Sequence, residues 1–166
     1  MSTQLLRKAP PPFTVTLPDL ASVPAAFRGQ KYTVRRLLAN GDRNTKMAKS
    51  NRSSKQYRTF GLSLAPANSS GRQMCASSSA GCREACLFRQ GRGSWANTQA
   101  ARIAKAVAYF ENREWFEATL RRDLKAAASS SKKAGFTAAI RLNVVSDVMW
   151  EGVFPCIFSD FAEIQF

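Results

Sequence analysis

The order of hydrophobic patterns along this chain is the feature that most restricts its fold. Residues 57–65 alternate apolar with small or polar side chains, which predicts a β-strand. Apolar side chains then recur every three or four positions, which predicts one helix over 97–112 and a second over 112–135. Residues 136–145 are largely apolar, as in a strand that is covered on both faces. A strand, a long loop, helices and a second strand in this order predict an α/β fold of parallel βαβ units, arranged as part of a (β/α) barrel.

The two ends of the chain add two expectations about its domain organisation. Residues 1–30 show little periodicity and contain the run Pro10-Pro11-Pro12, which favours an extended or mobile N-terminal arm. Residues 31–166 are then expected to form a single α/β domain, since a segment of this length can bury a core of its own. Residues 164–166 resemble the opening of a further strand, so the sequence predicts a chain that is truncated at its C-terminus.

Charge is the most unusual feature of the composition. The chain has 25 Lys and Arg residues against 11 Asp and Glu residues, a formal net charge of +14. Half of this excess lies in residues 31–56, and a surface of this kind favours contact with nucleic acid, the commonest polyanion that a cytoplasmic protein meets. The candidate phosphate-binding residues are Lys46, Lys49, Arg52 and, in a Gly-Arg-Gly turn, Arg92. The alternative explanation of the 31–56 segment is a flexible, solvated connector.

Three cysteines lie close together in the long loop that follows the first predicted strand. Cys75, Cys82 and Cys86 have the spacing C-x6-C-x3-C, whereas Cys156 is distant in sequence and is expected in the core. Thiols stay reduced in the cytoplasm, where clustered cysteines favour metal or redox chemistry over structural disulfides. Three thiolates with one open coordination position fit a [4Fe-4S] cluster. Radical enzymes that bind S-adenosylmethionine hold such a cluster with the usual spacing C-x3-C-x2-C, from which this sequence departs.

Two other interpretations of the cysteines remain open at this stage. A structural zinc site needs four ligands, usually from paired Cys or His units, and the chain contains no histidine. The cysteines are otherwise reduced residues that bind nothing, because free cysteine is among the most buried residue types.

A turn after the second predicted strand carries two carboxylates. Asp147 and Glu151 are candidate catalytic residues, because carboxylates at such a position can act as acid and base or bind a substrate amine. Asn143 and Trp150 lie beside them and are candidates for a substrate pocket. Ligands of parallel α/β folds bind at the carboxyl ends of the strands, so the cysteine loop and this turn are expected at one edge of the sheet. In the alternative interpretation, Asp147 caps the local turn and Glu151 is merely solvated.

The same residues, taken together, make the chain resemble the gene product 88 family of bacteriophage proteins over roughly residues 37–166. The resemblance implies a phage or prophage origin and a setting in the host-cell cytoplasm, and it implies no particular reaction. It also adds Asn44 to the candidate substrate pocket. The matching pieces are Asn44-Thr45-Lys46, Leu62 to Ala67, Cys75 to Leu87, Gly91-Arg92-Gly93, Ala101 to Lys105, Arg141-Leu142-Asn143, and Ser146-Asp147 with Trp150-Glu151.

Two functional hypotheses result from this sequence. In the first, the protein is an enzyme-like domain in which the three cysteines bind a metal, with an iron–sulfur cluster as the preferred assignment, beside the acidic turn. In the second, it is a basic accessory protein that binds nucleic acid without catalysis. No apolar run reaches the ~18–20 residues that a membrane-spanning helix needs, and no secretory signal pattern opens the chain, so both hypotheses place the protein in the cytoplasm.

Overall fold

The computed structural model describes residues 9–166, apart from the side chains of Arg43, Thr45 and Lys46. Short 3₁₀ turns at 25–27, 41–43, 87–89 and 91–94 connect some of the regular elements. The strands are β1 (Phe13–Thr16), β2 (Lys31–Val34), β3 (Leu38–Asn40), β4 (Tyr57–Leu62) and β5 (Thr137–Arg141), and the helices are α1 (Thr45–Ser53), α2 (Ala80–Glu84), α3 (Ala96–Glu111), α4 (Arg113–Lys133), α5 (Trp150–Val153) and α6 (Cys156–Asp160).

The described strands form two small sheets. Strands β1 and β2 pair antiparallel, and a second sheet has the order β3-β4-β5. In the second sheet β3 is antiparallel to β4, whereas β4 is parallel to β5 with Tyr57 opposite Thr137. Near the end of the chain Gln165 forms a parallel bridge with Ala139 on the free side of β5. The predicted mixed α/β class is confirmed, but these strands close no barrel, because they divide between two sheets and an antiparallel strand ends one edge of the larger sheet.

The segment that the sequence assigns to an N-terminal arm packs against the domain over its described residues 9–30. Val15, Leu17 and Val23 are buried in the core. The indole Nε1 of Trp115 donates a hydrogen bond to the carbonyl of Pro11 at 2.7 Å, and the Phe13 ring lies 5.2 Å from the Trp115 ring. Residues 13–16 of the arm are extended, and apolar side chains at alternate positions can anchor such a strand even between prolines. The division of the chain into an arm and a domain at residue 30 stays a prediction. The prediction for residues 1–8 lies outside the described part of the chain.

Helices α3 and α4 bury one face each and join the two parallel strands. The Asn112 side chain caps α4 by accepting a hydrogen bond from the amide of Trp115 at 2.9 Å. After the helix, Gly135 has a φ of +76°, a left-handed conformation that glycine adopts without strain. Both boundaries agree with the sequence prediction. The buried side chains of the pair are Ala100, Ile103, Ala104, Ala106, Ala108, Tyr109, Trp115, Phe116, Thr119, Leu120, Asp123, Leu124, Ala127 and Ser131.

A candidate site where the cysteine loop meets the acidic turn

The loops that follow the two parallel strands lie side by side, as the sequence predicts for the carboxyl ends of β4 and β5. The amide of Val144 donates to the carbonyl of Leu62 at 3.2 Å, and the amide of Asp147 donates to the carbonyl of Met74 at 3.1 Å. Cys75 and Asp147 form a parallel bridge. The cysteine loop and the acidic turn are therefore joined through their backbones.

All three cysteines of the loop line one cavity of about 230 Å³. Cys75 is buried, Cys86 is partly buried and Cys82 is exposed, and each of them is a free thiol. The prediction that Cys156 lies in the core is wrong, because this residue is exposed at the start of α6. Cys82 belongs to the short helix α2, which Ser79 caps by accepting a hydrogen bond from the Cys82 amide at 3.1 Å. The fold thus gathers on one surface the three thiols that the sequence singles out.

The backbone around Cys75 is shaped to present an N–H group to its sulfur. The amide of Ala67 donates to Cys75 Sγ at 3.3 Å, and the carbonyl of Ala67 accepts from the amide of Met74 at 3.1 Å. Ala67 has a φ of +44°, a left-handed conformation that costs free energy in a residue with a Cβ. The Ser78 hydroxyl donates to the Cys75 carbonyl at 2.9 Å and holds the turn from the other side. These hydrogen bonds fix the position of the Cys75 sulfur in the wall of the cavity.

The thiols as placed do not surround one metal ion. Within the described residues, no group of three or more Cys, Asp or Glu side chains is arranged to hold a metal ion. A single zinc ion needs such a common centre. In an iron–sulfur cluster each cysteine binds a different iron, so the three sulfurs need to face one cavity and need not converge on one point.

Arginine side chains supply positive charge around the cavity. Arg83 and Arg89 belong to its lining. Arg102 of α3 has a buried Nη1 atom without a hydrogen-bond partner among the described residues. Burial lowers the pKa of the Arg102 guanidinium, and the proximity of Cys86 acts in the opposite direction. A buried N–H group of a guanidinium without a partner indicates a place for a hydrogen-bond acceptor close to Cys86.

The tight approach of the loop to Arg102 depends on Gly93. A Cβ atom on this residue would lie 2.1 Å from the carbonyl oxygen of Leu87 and 3.2 Å from Arg102 Nη1. Gly93 is buried within the turn that precedes α3. The loop can therefore pack in this way only because residue 93 has no side chain.

The two carboxylates of the turn are placed differently from the prediction that they share the cysteine cavity. Asp147 and Glu151 are both exposed, and as the described residues are placed neither belongs to the lining of that cavity. Asp147 joins Cys75 through its backbone, and Glu151 lies in the first turn of α5. The expectation that these carboxylates share the cysteine cavity is therefore wrong. A parallel bridge fixes the position of the main chain and leaves the Asp147 side chain free to face solvent. Their catalytic role stays a prediction.

Asn143 and Trp150 organise the turn from within. Trp150 is buried, and its ring lies 6.2 Å from that of Phe116 in a nearly parallel stack. The Asn143 Oδ1 atom accepts hydrogen bonds from the Trp150 indole at 2.9 Å and from the Val148 amide at 3.1 Å. Neither side chain lines the cysteine cavity. Both stabilise the turn, and the structure does not place them in a pocket with the three thiols.

The predicted phosphate-binding residues occupy two regions. Lys49 and Arg52 are exposed on α1, and the side chain of Lys46 lies outside the described residues. Arg92 is exposed, and its guanidinium lies 5.6 Å from the centre of the Trp95 ring. The sequence analysis did not single out Trp95, although it is 60% exposed.

Asn44 lies just before α1. It is partly buried, and its carbonyl accepts a hydrogen bond from the Ala48 amide at 2.7 Å. It does not line the cysteine cavity, so the structure does not place it with the three thiols. Its assignment to a substrate pocket stays a prediction.

Comparison with known proteins identifies the family. The family model described as Gene product 88 matches residues 35–166, which is most of the chain. The protein belongs to this family of phage gene products. No curated protein and no solved structure matches it. No described helix of this gene product 88 protein is long and apolar enough to cross a membrane.

A buried polar network that the sequence did not reveal holds the loop between β2 and β3. The Leu37 amide donates to Asp123 Oδ2 at 2.6 Å, and the Leu37 carbonyl accepts from Lys105 Nζ at 2.7 Å. Burial lowers the pKa of Lys105 to about 8, the charge of Asp123 raises it and the charge of Arg102 lowers it further. A charged residue on a largely apolar helix face was the available signal for Lys105, but its partner could not be read from the sequence.

Proposed function

We propose that this gene product 88 protein is an enzyme-like domain whose functional centre is the three-cysteine cavity. Cys75, Cys82 and Cys86 would bind an iron–sulfur cluster there, and an iron with an open coordination position would supply redox or ligand-binding chemistry. The observation that carries this proposal is that three free thiols, separated by six and three residues in sequence, line a single cavity.

The charge around the cavity supports a negatively charged occupant. A cluster held by three thiolates is anionic, and Arg83, Arg89 and the partly buried Arg102 would offset that charge. The exposed position of Cys82 and the short helix that carries it allow a modest change of side-chain orientation on binding. These features fit an anionic metal centre held by the three thiols.

The backbone pairing supports the same location for the centre. We propose that β4, β5 and the bridge residue Gln165 belong to successive parallel βαβ units, whose carboxyl ends carry the cavity. In this arrangement Asp147 and Glu151 would act from the rim, on a substrate that covers the cavity. Because exposed thiols persist in a reducing compartment, the protein would work in the host-cell cytoplasm.

Metal analysis of protein purified without air tests the proposal. We expect iron and acid-labile sulfide in near-equal amounts, with absorbance near ~400 nm that disappears on exposure to oxygen. Replacement of Cys75, Cys82 or Cys86 by Ala is expected to remove most of the iron. Cys156→Ala is the matched control, because Cys156 is an exposed free thiol that does not line the cavity. A colourless protein with no iron or sulfide would reject the proposal.

A second function, binding of single-stranded nucleic acid, is favoured by the Arg92–Trp95 pair. An indole that is 60% exposed beside a guanidinium is a suitable platform for base stacking and phosphate contact. The formal net charge of +14 would attract the strand to this surface and, through Lys49 and Arg52, along α1.

Binding of a fluorescent oligonucleotide at several salt concentrations tests this second function. We expect affinity to fall steeply with salt, Trp95→Ala to weaken binding about tenfold or more, and Arg92→Gln to reduce the salt slope by about one. Lys133→Gln is the control, because this exposed lysine at the end of α4 is remote in sequence from both proposed contacts. Affinity that ignores salt, or that survives Trp95→Ala unchanged, would exclude the proposed surface.

A further inference from the structure

A second and larger cavity, distinct from the cysteine centre, lies between α4 and the edge strand β3. This cleft has a volume of about 500 Å³, within the range of about 300–1,000 Å³ that is usual for small-molecule sites. It exists because the helix presents small side chains, Ala126, Ala127 and Ser130, to the sheet. It shares no lining residue with the cysteine cavity.

The cleft has an excess of positive charge, and part of that charge is held in place. The Nε and Nη2 atoms of Arg122 donate to Asp123 Oδ1 at 3.0 and 2.8 Å, and Nη2 also donates to the Arg35 carbonyl at 2.6 Å. These bonds fix the guanidinium and leave Nη1 without a hydrogen bond among the described residues. Arg36 is exposed at the same cleft and forms no ion pair within the described part of the chain. Two guanidinium groups and one carboxylate leave one positive charge for a ligand to neutralise.

The remaining walls are apolar or weakly polar. Leu38 and Phe60 come from the neighbouring strands β3 and β4, and Asn40 lies directly opposite Phe60 in the register of the pair. Aromatic and aliphatic walls with a few polar groups are typical of sites for flat organic molecules. Size, shape and charge therefore agree on one class of ligand.

We propose that this cleft binds a flat organic anion of about mononucleotide size. Its phosphate or carboxylate would contact Arg36, whose guanidinium can bind such an anion through paired hydrogen bonds, and would accept a further hydrogen bond from the free Nη1 of Arg122. Its ring system would lie against Phe60 and the alanines of α4. This site is independent of both functions proposed above, and the result of its test does not depend on theirs.

Titration with a panel of probes, followed by heteronuclear NMR, tests the proposal. The probes are the four common nucleoside 5′-monophosphates, indole-3-acetate and 4-hydroxybenzoate, with adenosine as a neutral comparison. We expect at least one anion to bind with a Kd below about 1 mM and to bind more tightly than its neutral analogue. Arg36→Gln is expected to weaken that binding at least about fivefold. Ala126→Leu, which fills the cleft from an exposed helix position, is expected to abolish it.

Two matched variants separate the cleft from general effects of charge and helix sequence. Arg35→Gln removes a neighbouring exposed arginine whose side chain does not line the cleft, and Ser129→Leu adds the same side chain three positions along α4. Both are expected to bind within about twofold of the unmodified protein, a change too small to reflect a lost contact. The proposal is overturned if no probe binds or if binding survives Ala126→Leu. Loss of that surviving binding in Trp95→Ala would place it at the Arg92–Trp95 surface instead.

Discussion

The indole Nε1 of Trp150 donates a hydrogen bond to Asn143 Oδ1 at 2.9 Å, and this contact ties the end of β5 to the start of α5. The same oxygen accepts from the Val148 amide, and the Asn143 Nδ2 donates to the Val148 carbonyl at 2.8 Å. One amide side chain thus satisfies both backbone groups of Val148. The turn that carries Asp147 against Cys75 depends on this arrangement.

We expect Asn143→Ala to lower the free energy of unfolding by about 2–4 kcal/mol, because it leaves the indole and the Val148 amide without partners. Urea denaturation followed by tryptophan fluorescence measures this change. Asn97→Ala, at an exposed position in the first turn of α3, is the control and is expected to change stability by less than about 0.5 kcal/mol. Equal stability of Asn143→Ala and the unmodified protein would contradict the supporting role of Asn143.

Replacement by alanine is expected to have opposite effects on stability at Gly93 and at Gly81. Gly93→Ala places a Cβ 2.1 Å from the Leu87 carbonyl oxygen, so we expect a loss of about 2 kcal/mol or more. A Cβ on Gly81, which lies in α2, meets no atom within 4 Å, so Gly81→Ala is expected to be neutral or to stabilise by up to about 1 kcal/mol. Thermal melts of the two variants check this contrast. A tolerated Gly93→Ala would show that the 87–93 turn packs differently.

The elements that could be predicted from the sequence are those whose signals are local. Helix α4 followed from its apolar stripe, the Asn112 cap and Gly135, all within one segment. Strand β1 was missed, because it is only four residues long and lies next to prolines, and its pairing with β2 is a non-local property.

The candidate site was predictable to the same extent. The meeting of the cysteine loop with the acidic turn followed from a rule about strand ends that depends only on topology. The outward direction of Asp147 and the approach of Arg102 to Cys86 depend on loop conformation and on the rotation of α3, and neither leaves a local pattern. A sequence can therefore bring the right segments together without showing which side chains face each other.

The carboxylate of Asp123 is expected to be more important for stability than any exposed ion pair in the described part of the chain. It is buried, and its Oδ2 accepts from the amides of Leu37 and Leu38 at 2.6 and 3.1 Å. In Asp123→Asn the amide nitrogen would face either these N–H groups or Arg122, so we expect a loss of about 2–4 kcal/mol in urea denaturation. Asp160→Asn removes an exposed partner of Arg121 and is expected to cost about 0–1 kcal/mol. Similar losses in both variants would contradict the argument.

Lys105 predicts a specific dependence of stability on pH. Burial lowers its pKa from 10.5 to about 8 in the folded protein, so the folded state releases this proton before the unfolded chain does. Between about pH 8 and 10.5 the unfolded chain binds more protons, and the free energy of unfolding therefore rises with pH through this group.

In Lys105→Met this contribution is absent, so the stability of the unmodified protein relative to the variant is expected to increase as the pH is raised from 7.5 to 10, approximately the window set by the two pKa values. Urea denaturation at half-unit pH intervals measures the difference. Lys125→Met, at an exposed position on α4, is the control for the loss of a positive charge from the surface. A constant difference for Lys105→Met would mean that Lys105 keeps its proton in the folded protein, and that its contact with the Leu37 carbonyl is made by an ammonium group throughout.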